Sequence, residues 1–519
     1  MTFIFSLLAD TLRVLCQPLH IFGALGAFFA YKIFYALYLS PFRNIPGPFW
    51  SRISDLPALY HELRGVEPEL MISRTEKYGS IFIIGPERVG ICDPEIAQTL
   101  LLSHAYLKDK RYGNIVVFEP NVFLTIDPEL NKQRRRQLGP AMTLANLRHM
   151  EPAILDVGIK QLHKKWDRDI EQSEDGQKAR VCYQHDFMLM SFDIISSLGF
   201  GQAHTSLTSG DTRIAKWVHS TLVVMYLQAV MPIFNSGLFR RFIAKSLYDN
   251  VDAFISLGTQ AVDNRRRYLS TLSTDEDKPK DILQSYIEAE DPKSRIRMTP
   301  SQVVTETIIN LLAGSDTSSN TLAWTIHLLL LHPQYYSRIV MEVREAFAPG
   351  HLINYSDCKA SLPFLEACIY EAMRLVPVVT TMPRSMPRGG ATFNGHFIPE
   401  GYTCSISIPG CNRNSEAWEN PHAFYPERFL DSEANRRQML TFSVGVRVCP
   451  GKTLAWMEML PTLANVLSKY NLELPGDALF TPDRVDKKGL PVLMPGVAAG
   501  ARVPRFPERD CVVLVSKRS

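Results

Sequence analysis

Apolar runs of three kinds divide the chain. Residues 19–39 are apolar and aromatic apart from His20 and Lys32, about the length that spans a bilayer as one helix. Tyr31, Tyr35 and Tyr38 suit an aromatic belt, and Lys32 near one end can snorkel to the interface. A cleaved signal peptide has a shorter apolar region, close to a basic stretch and followed by a small-residue site, so this segment reads as a retained anchor. The earlier run 3–8 reads either as interfacial or as a partial second pass. Next comes Asn44-Ile45-Pro46-Gly47-Pro48-Phe49. Proline cannot continue a helix there, so the stretch is a stiff hinge, the start of a globular body, or both.

The second kind of run is short. Ile81-Phe82-Ile83-Ile84-Gly85-Pro86 and Val89-Gly90-Ile91-Cys92-Asp93-Pro94 predict two strands joined by a turn, with a helix opening after Pro94. Helical spacing governs most of the remainder. Residues 127–138 predict a helix with proline in its first turn and a dense basic face, and residues 151–298 are helical in pattern without motifs, broken by a charged loop at 273–280. Thr299-Pro300-Ser301-Gln302 offers a capping-box start, from which the pattern runs to Leu331 and stops at His332-Pro333. At 1.5 Å per residue such a helix is roughly 48 Å long, enough to cross a whole domain. Its middle, Ala313-Gly314-Ser315-Asp316-Thr317-Ser318, gathers poor helix formers and predicts a local distortion.

Composition narrows the class. The chain has 519 residues, 46% of them hydrophobic, which supports a sizeable core. A net charge of +3 with dispersed basic residues argues against a nucleic-acid partner. Nine cysteines, an odd number without C-x-x-C spacing, argue against a disulfide framework and a zinc site and fit a reducing compartment. Arg43 and Arg52 place the body after the anchor in the cytosol by a small positive-inside bias.

Chemistry gathers in two places. Phe442-Ser443-Val444-Gly445-Val446-Arg447-Val448-Cys449-Pro450-Gly451 reads as a loop presenting one cysteine ahead of a helix. A thiolate donates strongly to haem iron when shielded and held by backbone donors. Gly445 and Gly451 would let the backbone pass a flat macrocycle at positive φ. Phe442 can pack over the sulfur side, Arg447 suits a propionate, and the helix N-terminus favours thiolate over thiol. A buried inert cysteine is the bland alternative. In the long helix, Ala313 and Thr317 share a face with Ile309, and Gly314 leaves a groove for a small diatomic molecule. The bland alternative there is a kinked core helix with two polar residues facing a buried water.

Phe442, Gly445, Arg447, Cys449 and Gly451 together resemble the haem-binding signature of the cytochrome P-450 superfamily, Phe-x-x-Gly-x-Arg-x-Cys-x-Gly, with no departure at a fixed position. The likeness covers roughly residues 45–494 and is to fungal-type microsomal members. It implies a mainly α fold with small β-sheets, a triangular helical prism with haem b (iron protoporphyrin IX) between the long helix and the Cys449 loop. Cys449 is then the axial iron ligand. Ala313, Gly314, Asp316 and Thr317 match the oxygen-activation motif, in which an acid and an alcohol relay protons. Asn131 and Arg135 stand where the family has an aromatic or histidine and a basic residue, both touching a propionate; Asn131 is a departure. Arg384 matches a second propionate arginine, and Arg134 and Arg136 are candidates for docking an acidic electron donor. Glu371, Arg374 and Arg428 match a buried structural triad. Residues 378–381 and Gly489-Leu490-Pro491-Val492 would face substrate, and the tail after Gly496 has no assignable counterpart.

The resemblance further implies a monooxygenase that takes electrons from an NADPH-dependent reductase, with cytochrome b5 as an optional donor. It would insert one atom of dioxygen into a lipophilic small molecule such as a terpenoid or polyketide intermediate of secondary metabolism. Residues 1–43 form the anchor, 44–50 the hinge and 51–519 the catalytic domain, on the cytosolic face of the endoplasmic reticulum as a single-pass protein. Asn354-Tyr355-Ser356 is a glycosylation sequon that stays bare in the cytosol. Two other readings are a haem-thiolate isomerase or dehydratase that needs no reductase, against which the Asp316-Thr317 pair counts, and a non-catalytic haem- or lipid-binding membrane protein.

Overall fold

The computed structural model describes residues 18–201 and 204–518, so the apolar run at 3–8 and Cys16 lie outside the described residues. Helices dominate. Those that position the site are α1 (Pro18–Phe34), α2 (Leu56–Leu63), α3 (Glu67–Tyr78), α4 (Pro94–Leu102), α5 (Pro128–Leu138), α6 (Tyr183–Phe200), α7 (Arg213–Val230), α8 (Lys245–Leu269), α9 (Pro300–Leu331), α10 (Pro363–Leu375) and α11 (Lys452–Lys469).

The start of α9 follows from its sequence. Thr299 Oγ1 accepts from Gln302 N–H at 3.3 Å, Gln302 Oε1 accepts from Thr299 N–H at 3.1 Å, and Pro300 needs no partner for a missing N–H. The helix then remains α-helical through the glycine- and serine-rich middle, against the distortion expected there. Its hydroxyls are satisfied within the helix: Ser315, Thr317, Ser319 and Thr321 each donate to the carbonyl four residues back, at 2.7 to 3.0 Å, rather than competing for backbone N–H groups. α6 lies along α9 in close contact. A Cβ on Gly314 would meet Ile195 Cγ1 at 2.9 Å, and one on Gly199 would meet Leu311 Cδ1 at 2.9 Å.

Strands are short. β1 (Ile81–Gly85) and β2 (Arg88–Ile91) form the expected hairpin, and Asp93 caps α4 by accepting from the N–H groups of Glu95 and Ile96. With β3 (Leu107–Lys108), β5 (Thr381–Ser385) and β8 (Thr403–Ser407) they make one sheet in the order β1-β2-β8-β5-β3, in which only β2 and β8 run parallel. β4 (Lys178–Cys182), β9 (Tyr470–Glu473) and β12 (Val512–Lys517) form a second sheet with β12 in the middle; β6 (Ala391–Phe393) pairs with β7 (His396–Ile398), and β10 (Gly496–Ala499) with β11 (Ala501–Pro504). The tail that sequence left unassigned thus supplies a hairpin and a central strand.

α1 and the π-helical turn Tyr35–Leu39 that extends it are apolar and almost wholly exposed: only 6% of the window Phe22–Leu39 is buried. The proline segment after it is clamped rather than loose. Ile83 N–H donates to Pro46 O at 2.8 Å, Arg52 donates to Ile45 O at 2.6 Å, and Phe42 and Ile45 are buried. Arg52 is thus held by the segment's own carbonyls while Ile83 of β1 ties the segment to the body, which leaves Arg43 as the freer of the two cations near the anchor.

Candidate active site

A cavity of about 500 Å³ lies between α9 and the loop before α11. Cys449, Phe442, Arg447 and Gly451 line it from one side, Ala313, Gly314, Asp316 and Thr317 from the other, and Arg135 and Arg384 from its edges. The structure thus brings together residues from distant parts of the chain.

The cysteine loop is held by its own backbone. Cys449 N–H donates to Phe442 O at 2.8 Å, and Arg135 donates to Val448 O at 2.7 Å. Gly445 adopts φ +65, and a Cβ there would meet Leu102 Cα at 2.6 Å, so glycine lets the loop rest on the end of α4. Ser443 shares this left-handed conformation at φ 58. Gly451 does not: its φ is −83 and a Cβ there would meet only Cys449 Sγ, at 3.9 Å, so the expected positive φ is corrected. Burial pushes the Cys449 thiol up, outweighing the N–H groups of Gly451 and Lys452 and the Arg135 guanidinium, which pull it down. The helix N-terminus alone therefore does not yield a thiolate; a coordinated metal cation deprotonates such a thiol outright.

On the opposite wall, Thr317 Oγ1 donates to Ala313 O at 2.7 Å, which leaves the oxygen lone pairs as the hydroxyl's free function. Asp316 accepts from Asn320 Nδ2 at 3.2 Å through one oxygen, while the other, buried, has no partner. Burial pushes its carboxyl up to about 6. Asn320 Oδ1 in turn accepts from Gln184 at 3.2 Å. Gly314 lines the cavity, yet the expected groove beside it is filled by Ile195. A second buried acid escaped the sequence reading: Glu458, on α11, accepts from Ser191 and Ser318, and burial pushes it up to about 7. Its signal was present as the one acid in the apolar run 454–467.

Four cations meet at the cavity edge: Lys108, Arg135, Arg384 and Arg447. Lys108 was not foreseen. It sits directly across from Arg384 in the β3–β5 pair, and like charges at such a pair repel. Burial lowers the Lys108 ammonium well below its usual range, with Arg384, Arg447 and Arg135 adding to it, and lowers Arg447 to about 10. Among the described residues each donates only to a backbone carbonyl, of Phe123, Val448, Pro383 and Thr125 respectively, and none meets a carboxylate. Lys108 and Arg384 are buried and Arg135 and Arg447 half-buried, and an unpaired buried charge costs several kcal/mol per ion. A ligand bearing two carboxylates beside a thiol-binding centre fits this set, and haem is such a ligand.

Other assignments are corrected. Asn131 is buried with its amide on Val122 O at 2.9 Å and does not line the cavity. Arg134 is buried against Glu306 and Gln137, and Arg136 holds Asp291 at 2.5 Å, so neither is a free docking cation. Residues 378–381 line the cavity, whereas Gly489-Leu490-Pro491-Val492 do not; Ala498, Gly500 and Ala501 of the β10–β11 hairpin take that place. Glu371, Arg374 and Arg428 do meet: Glu371 takes Arg374 at 2.7 and 2.8 Å and Arg428 at 3.2 Å, and Arg374 also donates to the carbonyls of Asn412, Pro421 and Ala423.

A family model described as Cytochrome P450 matches residues 47–494. Cytochrome P450 monooxygenase helB1 of Aspergillus fumigatus is 38% identical over 496 residues, 94% of this chain and 84% of the relative, and helB3 of the same organism is 35% identical over 96% and 98%. A solved cytochrome P450DA heme domain superposes with a TM-score of 0.73 at 20% identity, covering 89% of this chain and 95% of that one.

Proposed function

The chain belongs to the cytochrome P450 family and is a monooxygenase; on that premise we propose that Cys449 would ligate the iron of a haem whose carboxylates Arg135, Arg384, Arg447 and Lys108 would hold. The single observation that carries this is that set of four cations, Lys108 and Arg384 buried and Arg135 and Arg447 half-buried, each without an anionic partner among the described residues, around the cavity that Cys449 lines.

When bound, haem supplies the activation of dioxygen and the insertion of one of its atoms into the substrate. The chain's own residues shape what surrounds that chemistry. Thr317 Oγ offers lone pairs toward the cavity and gives up its bond to Ala313 O when it passes its proton there; Asp316, steadied by Asn320, would resupply that proton with one taken up from solvent. A carboxyl shifted to about 6 both holds and releases a proton near neutral pH. Arg135 fixes the cysteine loop through Val448 O, and the Glu371, Arg374 and Arg428 cluster buttresses the segment leading to it. The apolar wall made by Val378, Val379 and the β10–β11 hairpin favours a lipophilic substrate, in keeping with a secondary metabolite such as a terpenoid or polyketide intermediate.

Electrons would come from an NADPH-dependent reductase, with cytochrome b5 as an optional donor. The exposed apolar helix at the N-terminus, together with exposed Trp50, Leu56, Leu238 and Ile243, supports attachment to a membrane, proposed here as the cytosolic face of the endoplasmic reticulum. The test is spectroscopic: haem-loaded protein, reduced and exposed to carbon monoxide, is expected to show the red-shifted Soret band of thiolate-ligated haem, and Cys449→Ser to lose it. A Cys449→Ser protein that keeps the band would overturn the assignment.

A further inference from the structure

The cavity has a second polar end, unlike the first. There α3 presents Glu67 and Arg74, seven residues apart and so on one face of the helix, and α7 brings Tyr226 to the same wall. Arg74 is only 8% exposed, yet its guanidinium makes no hydrogen bond or ion pair with any described residue. The carboxyl of half-buried Glu67 and the hydroxyl of Tyr226 are equally without one. Their neighbours are satisfied: Glu62 takes Arg88 at 2.5 Å and Arg111 at 3.3 Å, and Glu69 takes Arg502. Burial pushes Glu67 up to about 8 and lowers Arg74, the response of groups that have surrendered water without gaining partners.

Buried polar groups are normally paired, and one buried and two half-buried groups left unpaired on one wall call for a ligand that pairs them. The same cavity is also lined by apolar Leu70, Leu222, Met225 and Ala498. Resting on the monooxygenase reading above, we propose that Glu67, Arg74 and Tyr226 hold the oxygenated end of the substrate: a lipophilic molecule that carries a carboxyl or hydroxyl group remote from the carbon to be oxidised. A carboxylate pairs with Arg74 while protonated Glu67 donates to it; a hydroxyl donates to Glu67 or Tyr226 and accepts from Arg74. The apolar body then points along α9 toward Thr317, so that the anchor sets which carbon is presented.

Haem-loaded full-length protein in detergent is titrated with dodecane, lauryl alcohol and lauric acid, following the Soret shift that accompanies filling of the cavity. The acid and the alcohol are expected to bind at least about tenfold more tightly than dodecane, as one to two charge-assisted hydrogen bonds allow. Arg74→Leu is expected to abolish the acid's advantage and Glu67→Gln to reduce the alcohol's, with dodecane affinity and the carbon-monoxide band unchanged. Equal affinities across the wild-type series, no response to any of the three, or an acid preference that survives Arg74→Leu would overturn the anchor while the carbon-monoxide band stands. Absence of that band in wild type would instead overturn the haem-thiolate reading beneath it.

Discussion

Arg374 grips Glu371 through two hydrogen bonds, Nε to Oε2 at 2.7 Å and Nη2 to Oε1 at 2.8 Å, at a place where neither side chain has exposed surface. Removing one partner strands the other. Arg374→Met is expected to destabilise the body by about 3–5 kcal/mol. Arg374→Lys should cost nearly as much, because an ammonium cannot also reach the carbonyls of Asn412, Pro421 and Ala423. Denaturant unfolding checks both, and a loss below about 1 kcal/mol would show that the pair is dispensable.

Lys108 faces Arg384 across two strands, and among the described residues neither is bonded to a carboxylate. Lys108→Met relieves that repulsion in the haem-free protein and removes a counter-charge in the loaded one. The haem-free variant should therefore melt higher than wild type, and loaded protein should lose haem to a scavenger roughly tenfold faster, as one lost charge-assisted contact predicts. Opposite signs in the two states distinguish this from general damage.

Thr317→Ala deletes the hydroxyl that Ala313 O holds in place. With a reductase partner, NADPH should be consumed at a comparable rate while product per NADPH falls severalfold or more, and Thr317→Ser should restore most of it. An unchanged product yield in Thr317→Ala would remove the hydroxyl from the proton path.

Asp316 carries a testable dependence on pH. Its folded value near 6 lies above the ordinary carboxyl value near 4, so between those limits the folded state holds a proton that the unfolded state has released. Stability contributed by this residue is accordingly highest below about pH 4, declines up to about pH 6 and stays low above it. Asp316→Asn should be more stable than wild type by about 3 kcal/mol at pH 8, and by about 1 kcal/mol less than that at pH 5, although its coupling of NADPH to product should fall. A variant no more stable at pH 8 would show the carboxyl to be better solvated than its surroundings indicate.

Asn354 caps the helix Tyr355–Ser361, its side chain accepting from Asp357 N–H at 3.0 Å. A body on the cytosolic face leaves this sequon bare, so digestion with an endoglycosidase should not change the mass of protein from a eukaryotic host. A mass shift would reverse the proposed orientation and would also mean that the cap had been modified.

Local chemistry was legible and long-range packing was not. The capping box at Thr299, the helix starts at Pro94 and Pro128 and the hairpin at residues 81–91 were readable because each depends on neighbours within a few residues. Lys108 was unreadable because its importance comes from a register that pairs it with a residue 276 positions away, Lys108 with Arg384. Basic residues 134–136 looked alike as a charged face, yet helical rotation sends Arg134 into the core, Arg135 to the cavity and Arg136 to Asp291. Gly314 was misread for a similar reason: a missing side chain says that something approaches closely, but only the fold shows that Ile195 does.

β12 lies between β4 and β9, pairing Val515 with Ala179 on one side and with Leu472 on the other. Strands from three distant parts of the chain are thus joined by the last of them to be synthesised. During translation β4 and β9 emerge with open edges and wait for residues 512–517, so this corner closes only once that last of the three strands has been made. A stop before Val512 that spares every residue of the site would still release a protein with two unpaired strand edges, a target for quality control rather than a working enzyme.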